Sequence, residues 1–184
     1  EGPMTTMRWM AAVVAALGSS GAATAQEAHS PYAHAGSTEV KTLSQAEVDE
    51  LLEGAGMGLA RAAELNRYPG PRHVLELADS LALTAEQRAA AERIFEAMSA
   101  GAKELGSAIL DAEKALDAAF AAGEMTPETL ASSVRRIAEL QGDLRITHLR
   151  AHLEMRKVLT AHQIHEYNRL RGYTAGHEHP PGGL

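Results

Sequence analysis

Two stretches of helical spacing, only a few residues apart, constrain this chain more than any other feature. Ala91, Ile94, Phe95, Met98, Leu105, Ile109, Leu116 and Phe120 keep a three-four apolar rhythm up to Gly123, a natural residue for the end of a helix. The chain restarts at once: Thr126 can cap the next helix, Pro127 suits its first turn and Glu128 suits the positive end of its dipole. The second stripe runs through Leu130, Val134, Ile137, Gln141, Leu144, His148, Ala151/His152, Met155 and Leu159. Helices this long, joined by about four residues, must lie antiparallel. The spacing therefore predicts an all-α fold built on a long antiparallel helical hairpin.

Shorter helices are expected around it, four or five in all, as a hooked hairpin. "SQAE" at Ser44–Glu47 is a capping box opening a first helix over about Gln45–Asn66, which Gly54, Gly56 and Gly58 weaken. "GAGMG" is not a phosphate loop, because no strand precedes it and no Lys-Ser/Thr follows. "YPGPRH" breaks the chain, and Pro71 then suits the first turn of a short helix, Arg72–Leu81. A final helix opens at Thr160 and Gln163, with Ile164, Tyr167 and Leu170 on its inner face. A lone hairpin buries little apolar surface, so a homodimer is expected to cover the rest.

Composition agrees with helices. The 184 residues include one Trp, four Tyr and two Phe, too few aromatics for an ordinary sheet protein. Seventeen Lys and Arg face 24 Asp and Glu, a net charge of −7, which excludes the basic footprint of a nucleic-acid binder. Cysteine is absent, so thiol catalysis, thiolate metal sites and disulfide staples are excluded together. "MRWMAAVVAALGSSGAATAQ" reads as a secretory signal: Arg8, an apolar run from Trp9 to Leu17 too short to span a bilayer, then Ala23-Thr24-Ala25 as a small-x-small cleavage site. The expected organisation is a signal peptide over 1–25, a flexible leader over 26–43, a helical domain over 44–172 and a disordered tail over 173–184. Cleavage after Ala25 would leave a periplasmic protein with no stable membrane insertion.

The start signal of the long helix is used twice. Leu83-Thr84-Ala85-Glu86-Gln87 and Leu159-Thr160-Ala161-His162-Gln163 each supply an apolar residue, a Thr N-cap and a Gln at the third helical position. Their separation matches one hairpin, so both mark helices entering its open end. With the signal peptide, the missing cysteines and the hooked hairpin, this pair resembles the Spy/CpxP-like periplasmic proteins, over about residues 44–172. The resemblance implies an α-helical homodimer with a curved cradle, in a group of refolding chaperones, envelope-stress inhibitors and heavy-metal sensors or zinc-binding relatives. The nickel/cobalt-sensor branch uses a pair of His in its first helix; this first helix has none, so that ligand set does not carry over.

The histidines in the second long helix raise the sharpest question. His148 and His152 lie at i and i+4 on the apolar stripe, a spacing at which two imidazoles can chelate one ion. Met155, at i+7 from His148, adds a thioether that favours copper, especially Cu(I), over zinc. His73 and Glu76, on the short helix tied to the start of the first long arm, are the candidates to complete the set. Zinc or copper is the ion expected at such a site. Packing histidines, bonded to a carboxylate or a backbone carbonyl, fit the same pattern. His29, His34, His177 and His179 lie in the polar ends.

No enzyme is expected, because no residue set both converges and supplies distinct catalytic roles. Two function classes remain. One is a metal-sensing, buffering or resistance protein with its site at the open end of the hairpin. The other is an ATP-independent chaperone, holding unfolded clients on an apolar surface that includes Met57, Phe95, Met98 and Phe120. Partners would be a second copy, unfolded proteins or a membrane sensor protein.

Overall fold

A computed structural model describes residues 40–173. The expected signal peptide, most of the leader and the tail beyond Tyr173 lie outside the described residues. Every regular element among the described residues is helical: α1 (Gln45–Glu53), α2 (Arg61–Glu64), α3 (Pro71–Glu76), α4 (Ala85–Ala121), α5 (Pro127–Val158) and α6 (Ala161–Leu170).

Helices α4 and α5, of 37 and 32 residues, form the hairpin and pack along each other. At about 1.5 Å per residue, each arm is roughly 50 Å long. Gly123 takes φ +70 after α4, and Thr126 caps α5 with Pro127 in its first turn, as the spacing predicts. The expected capping boxes at Ser44, Thr84 and Thr160 are formed as well.

The first helix ends earlier than its spacing suggests. Gly54 adopts φ +65, and the Ala55 N–H bonds the Glu50 carbonyl at 2.8 Å, which closes α1 with a left-handed cap. Tertiary packing fixes this ending. At Gly106 of α4, a side chain would sit 2.1 Å from the Leu51 carbonyl oxygen, so the end of α1 lies directly on the α4 backbone. The short helix before α4 is also briefer than expected, since turns replace it after Glu76. The last residues of the expected leader are held in place: Val40 is buried, Lys41 pairs with Asp117 at 2.9 Å, and Thr42 bonds Glu113.

Two apolar clusters stabilise the fold. One joins α1 to the middle of the hairpin through Val40, Leu51, Ala102, Ile109, Leu110, Leu140 and Leu144. The other closes the open end through Val74, Leu81, Ala91, Met155, Leu159 and Tyr167. Toward the hairpin turn the stripe loses its cover: Leu130, Val134 and Phe120 are 39%, 49% and 56% exposed.

The two Leu-Thr-Ala-x-Gln motifs interlock at the open end. Each Gln accepts the backbone N–H of its own Thr, Thr84 for Gln87 and Thr160 for Gln163. Each then donates to the other's side-chain oxygen at 2.9 Å. Their remaining amide hydrogens go across the junction, Gln87 to the Val158 carbonyl and Gln163 to the Leu81 carbonyl. The buried Gln163 amide and the half-buried Gln87 amide are thus fully satisfied, a condition under which a polar pair fixes one geometry.

Truncating either amide strands the other and a backbone carbonyl. Gln163→Ala is expected to cost about 1–3 kcal/mol. Gln87→Ala should cost a similar amount, and the double variant clearly less than the two together. Urea denaturation of the four proteins measures this coupling.

Candidate metal-binding cavity between two cores

Between the two apolar clusters the hairpin seam is not filled. On α4 the gap runs from Ala91 to Ala102, and on α5 from Leu144 to Met155; His148 and His152 fall inside it. A cavity of about 510 Å³ occupies this level, walled by the loop after α1, by α2, by the start of α3 and by both arms. The imidazoles on the apolar stripe are therefore neither core filler nor surface groups. Both are buried, at 3% and 6% exposure, and both line the cavity.

The chain reversal between α2 and α3 is clamped onto α5. Arg67 turns the backbone with φ +65. The Arg156 guanidinium then donates to the Arg67 carbonyl and stacks 4.5 Å from the Tyr68 ring centroid. One turn back, His152 Nδ1 lies 2.7 Å from the Tyr68 carbonyl. A carbonyl can only accept, so Nδ1 carries a proton, and in the neutral ring the lone pair is on Nε2. No hydrogen bond to that Nε2 is present among the described residues. Gly70 follows, where a larger residue would displace its neighbours: an added side chain would stand 2.8 Å from Glu64 Oε1 and 2.9 Å from the His152 ring.

His148 lies against the loop after α1. The Ala55 backbone beside it favours the protonated ring, while its Nε2 is buried with no hydrogen-bond partner. Burial first, then the neighbouring His152, hold its pKa below the ordinary imidazole value. The ring is thus kept neutral, with a buried and unpaired Nε2 beside the cavity.

Glu64 organises the mouth of the cavity. The Tyr167 hydroxyl donates to its carboxylate at 2.9 Å, and His73 Nδ1 donates to Oε1 at 3.0 Å. Burial and the adjacent carboxylate push the Tyr167 phenol well above its usual range, so it remains a donor. Arg171 approaches the other ring nitrogen of His73 at 3.5 Å. Both nitrogens of His73 are engaged.

The five expected ligands therefore divide. His73, His148 and His152 come to one cavity, and only the last two have a free nitrogen. Glu76 is exposed and lies 3.6 Å from Arg72. Met155 has no exposed surface and packs in the open-end cluster. Among the described residues no three His, Asp or Glu side chains are grouped so that they could hold a metal ion. Spacing had given no hint of Glu64 or of the Tyr167 hydroxyl, and no local signal marks either. No described helix is long and apolar enough to cross a membrane.

A helical hairpin with two interlocked Leu-Thr-x-x-Gln starts defines the class of this molecule. The LTXXQ motif family model matches residues 71–171, and the chain belongs to that family, the Spy/CpxP-like periplasmic proteins. No curated protein and no solved structure matches it.

The neutral, buried state of His148 makes folding pH-dependent. Above the ordinary imidazole value of 6.5 neither folded nor unfolded chain protonates this site, and its stabilisation is complete. As pH falls below 6.5 the unfolded chain takes up a proton that the folded site resists, and stability drops until the lowered folded pKa is passed. Thermal midpoints of metal-free protein from about pH 7.5 to about pH 5 should show this acid-side loss, and His148→Gln should flatten it.

Proposed function

We propose that this chain is an exported, homodimeric stress protein of the periplasm that binds a transition-metal ion in the cavity between its two cores. His148 and His152 are the protein's fixed ligands. One observation carries this reading: two imidazoles, one helical turn apart, line one cavity, His152 anchored by Nδ1 to the Tyr68 carbonyl and His148 with a buried Nε2 that has no hydrogen-bond partner. A ligating histidine characteristically gives its other N–H to a carbonyl or carboxylate, which fixes the ring and raises its basicity. A buried ring nitrogen ordinarily has a partner, and a bound ion would give the His148 Nε2 one. Export follows from the segment ending at Ala25, and no catalytic role is assigned. A second copy is the natural cover for Phe120, Leu130 and Val134 near the hairpin turn. Zinc and copper are the candidate ions, and a membrane sensor protein is a candidate recipient of the signal.

Titration of the whole protein with Zn(II), Cu(II) and, under reductant, Cu(I) tests the site. Submicromolar binding is expected, and His148→Ala/His152→Ala should abolish it. Binding that survives in this variant would place the metal on the terminal histidines and sink the proposal.

A specific observation also favours the chaperone reading. Ile146 and Leu153 are 51% and 53% exposed on α5, among arginines, where neither core needs them. Such a surface suits promiscuous apolar contact. If it holds clients, metal-free protein will suppress aggregation of a denatured test protein, and Ile146→Ser/Leu153→Ser will lose that effect while keeping its fold. Equal suppression by the variant would remove this surface from consideration.

A further inference from the structure

Two imidazoles are an incomplete ligand set, and the nearest carboxylate is already engaged by Tyr167 and His73. The cavity is also lined by two residues that carry donors of a different kind, the thioethers of Met57 and Met98. We propose that Met57 and Met98 complete the site with sulfur, which makes it selective for a soft monovalent ion, copper in its cuprous state. This rests on the metal reading of His148 and His152 and adds the identity of the ion.

Three close approaches bring these residues to one level. Gly54 packs on α4 beside Met98: an added side chain there would lie 3.1 Å from the Ser99 carbonyl oxygen and 3.2 Å from the Ala102 side chain. The next residue, Ala55, has its backbone beside His148. Gly101 on α4 faces Thr147 on α5, where an added side chain would be 3.5 Å from the Thr methyl group. Met98, the loop after α1 and His148 are therefore at the same height of the hairpin. Met57 stands on that loop.

The backbone at Met57 is the independent observation. Met57 has φ +45, a left-handed conformation that side-chain-bearing residues rarely adopt, between two glycines that would adopt it freely. Its side chain is 40% exposed, so core packing does not account for it either. An apolar residue in that conformation and partly in solvent is free to serve a role other than folding. A thioether facing a histidine cavity supplies one.

The donor chemistry selects the ion. Thioether and neutral imidazole are soft or borderline ligands, and none of the four carries charge. A partly buried site of neutral donors compensates a single positive charge better than two. Zinc gains little from thioethers, and hard cations need oxygen. The same atoms that fail as a zinc cage suit Cu(I).

The test uses the full chain under anaerobic, reducing conditions, with Cu(I) affinity read by competition against a chromogenic Cu(I) chelator and Zn(II) affinity by calorimetry. Met57→Leu/Met98→Leu keeps apolar volume while removing both sulfurs. The expected result is a loss of Cu(I) affinity of about tenfold or more with Zn(II) affinity unchanged. X-ray absorption should show sulfur beside copper in the wild type, and less of it in the variant. Unchanged Cu(I) affinity, or an equal loss for both metals, overturns the thioether assignment. If His148→Ala/His152→Ala still removes Cu(I), the metal site stands without its sulfurs; if it removes nothing, the metal reading itself fails. Should the double Met variant unfold, Met57→Leu alone, at the exposed position, decides by the same affinities.

Discussion

The amide pair of Gln87 and Gln163 is the interaction from which the rest of this structure can be built. Four chain segments meet there: the turn before α4, the start of α4, the end of α5 and the start of α6. Each Gln caps its own helix and holds the other. Without this junction the arms could still pair by apolar contact, but nothing directional would set their relative height. Apolar seams tolerate sliding; a closed set of hydrogen bonds does not. The height of α5 against α4 decides whether His148 faces the loop after α1 or a wall of alanines.

The cavity follows from that register. One core closes the open end and the other ties α1 to mid-hairpin, and the stretch between them is left to the cavity. Nature of the wall matters as much as its position. Arg156 and His152 hold successive carbonyls of the 67–68 reversal, so the α2–α3 segment cannot drift from α5 without exposing buried polar atoms. Glu64, Tyr167 and His73 then form a closed set at the mouth. These contacts spend hard donors on architecture and leave two ring nitrogens unused.

Much of this was legible in the residues. Capping acts within one turn of chain, so Ser44, Thr84, Thr126 and Thr160 announce their helices without tertiary help. The three-four stripe and the short connection define the hairpin, and they place His148 and His152 on its seam. What failed depended on contacts distant in sequence. Gly54 reads as a weak helical position, and only the backbone approach at Gly106 turns it into a helix end. Met155 shares a face with His148 by spacing, yet it lies two turns further along, inside the open-end core. Met57 and Met98 line the same cavity from other elements. The engagement of both nitrogens of His73 depends on Glu64 and Arg171, which no local pattern links.

Gly70 has a consequence for how such a site can change. Glu64 and His152 press against the space where its side chain would be, so one wall of the cavity is main chain. Main chain cannot be re-lined by substitution. The opposite wall, the glycine-rich loop after α1, carries few side chains of its own, Met57 foremost among them. At Gly70 the cavity is therefore fixed by main chain, and what it accepts is set by the side chains on its other walls. A lineage could retune its chemistry at one or two positions while the hairpin, both cores and the glutamine junction stayed untouched.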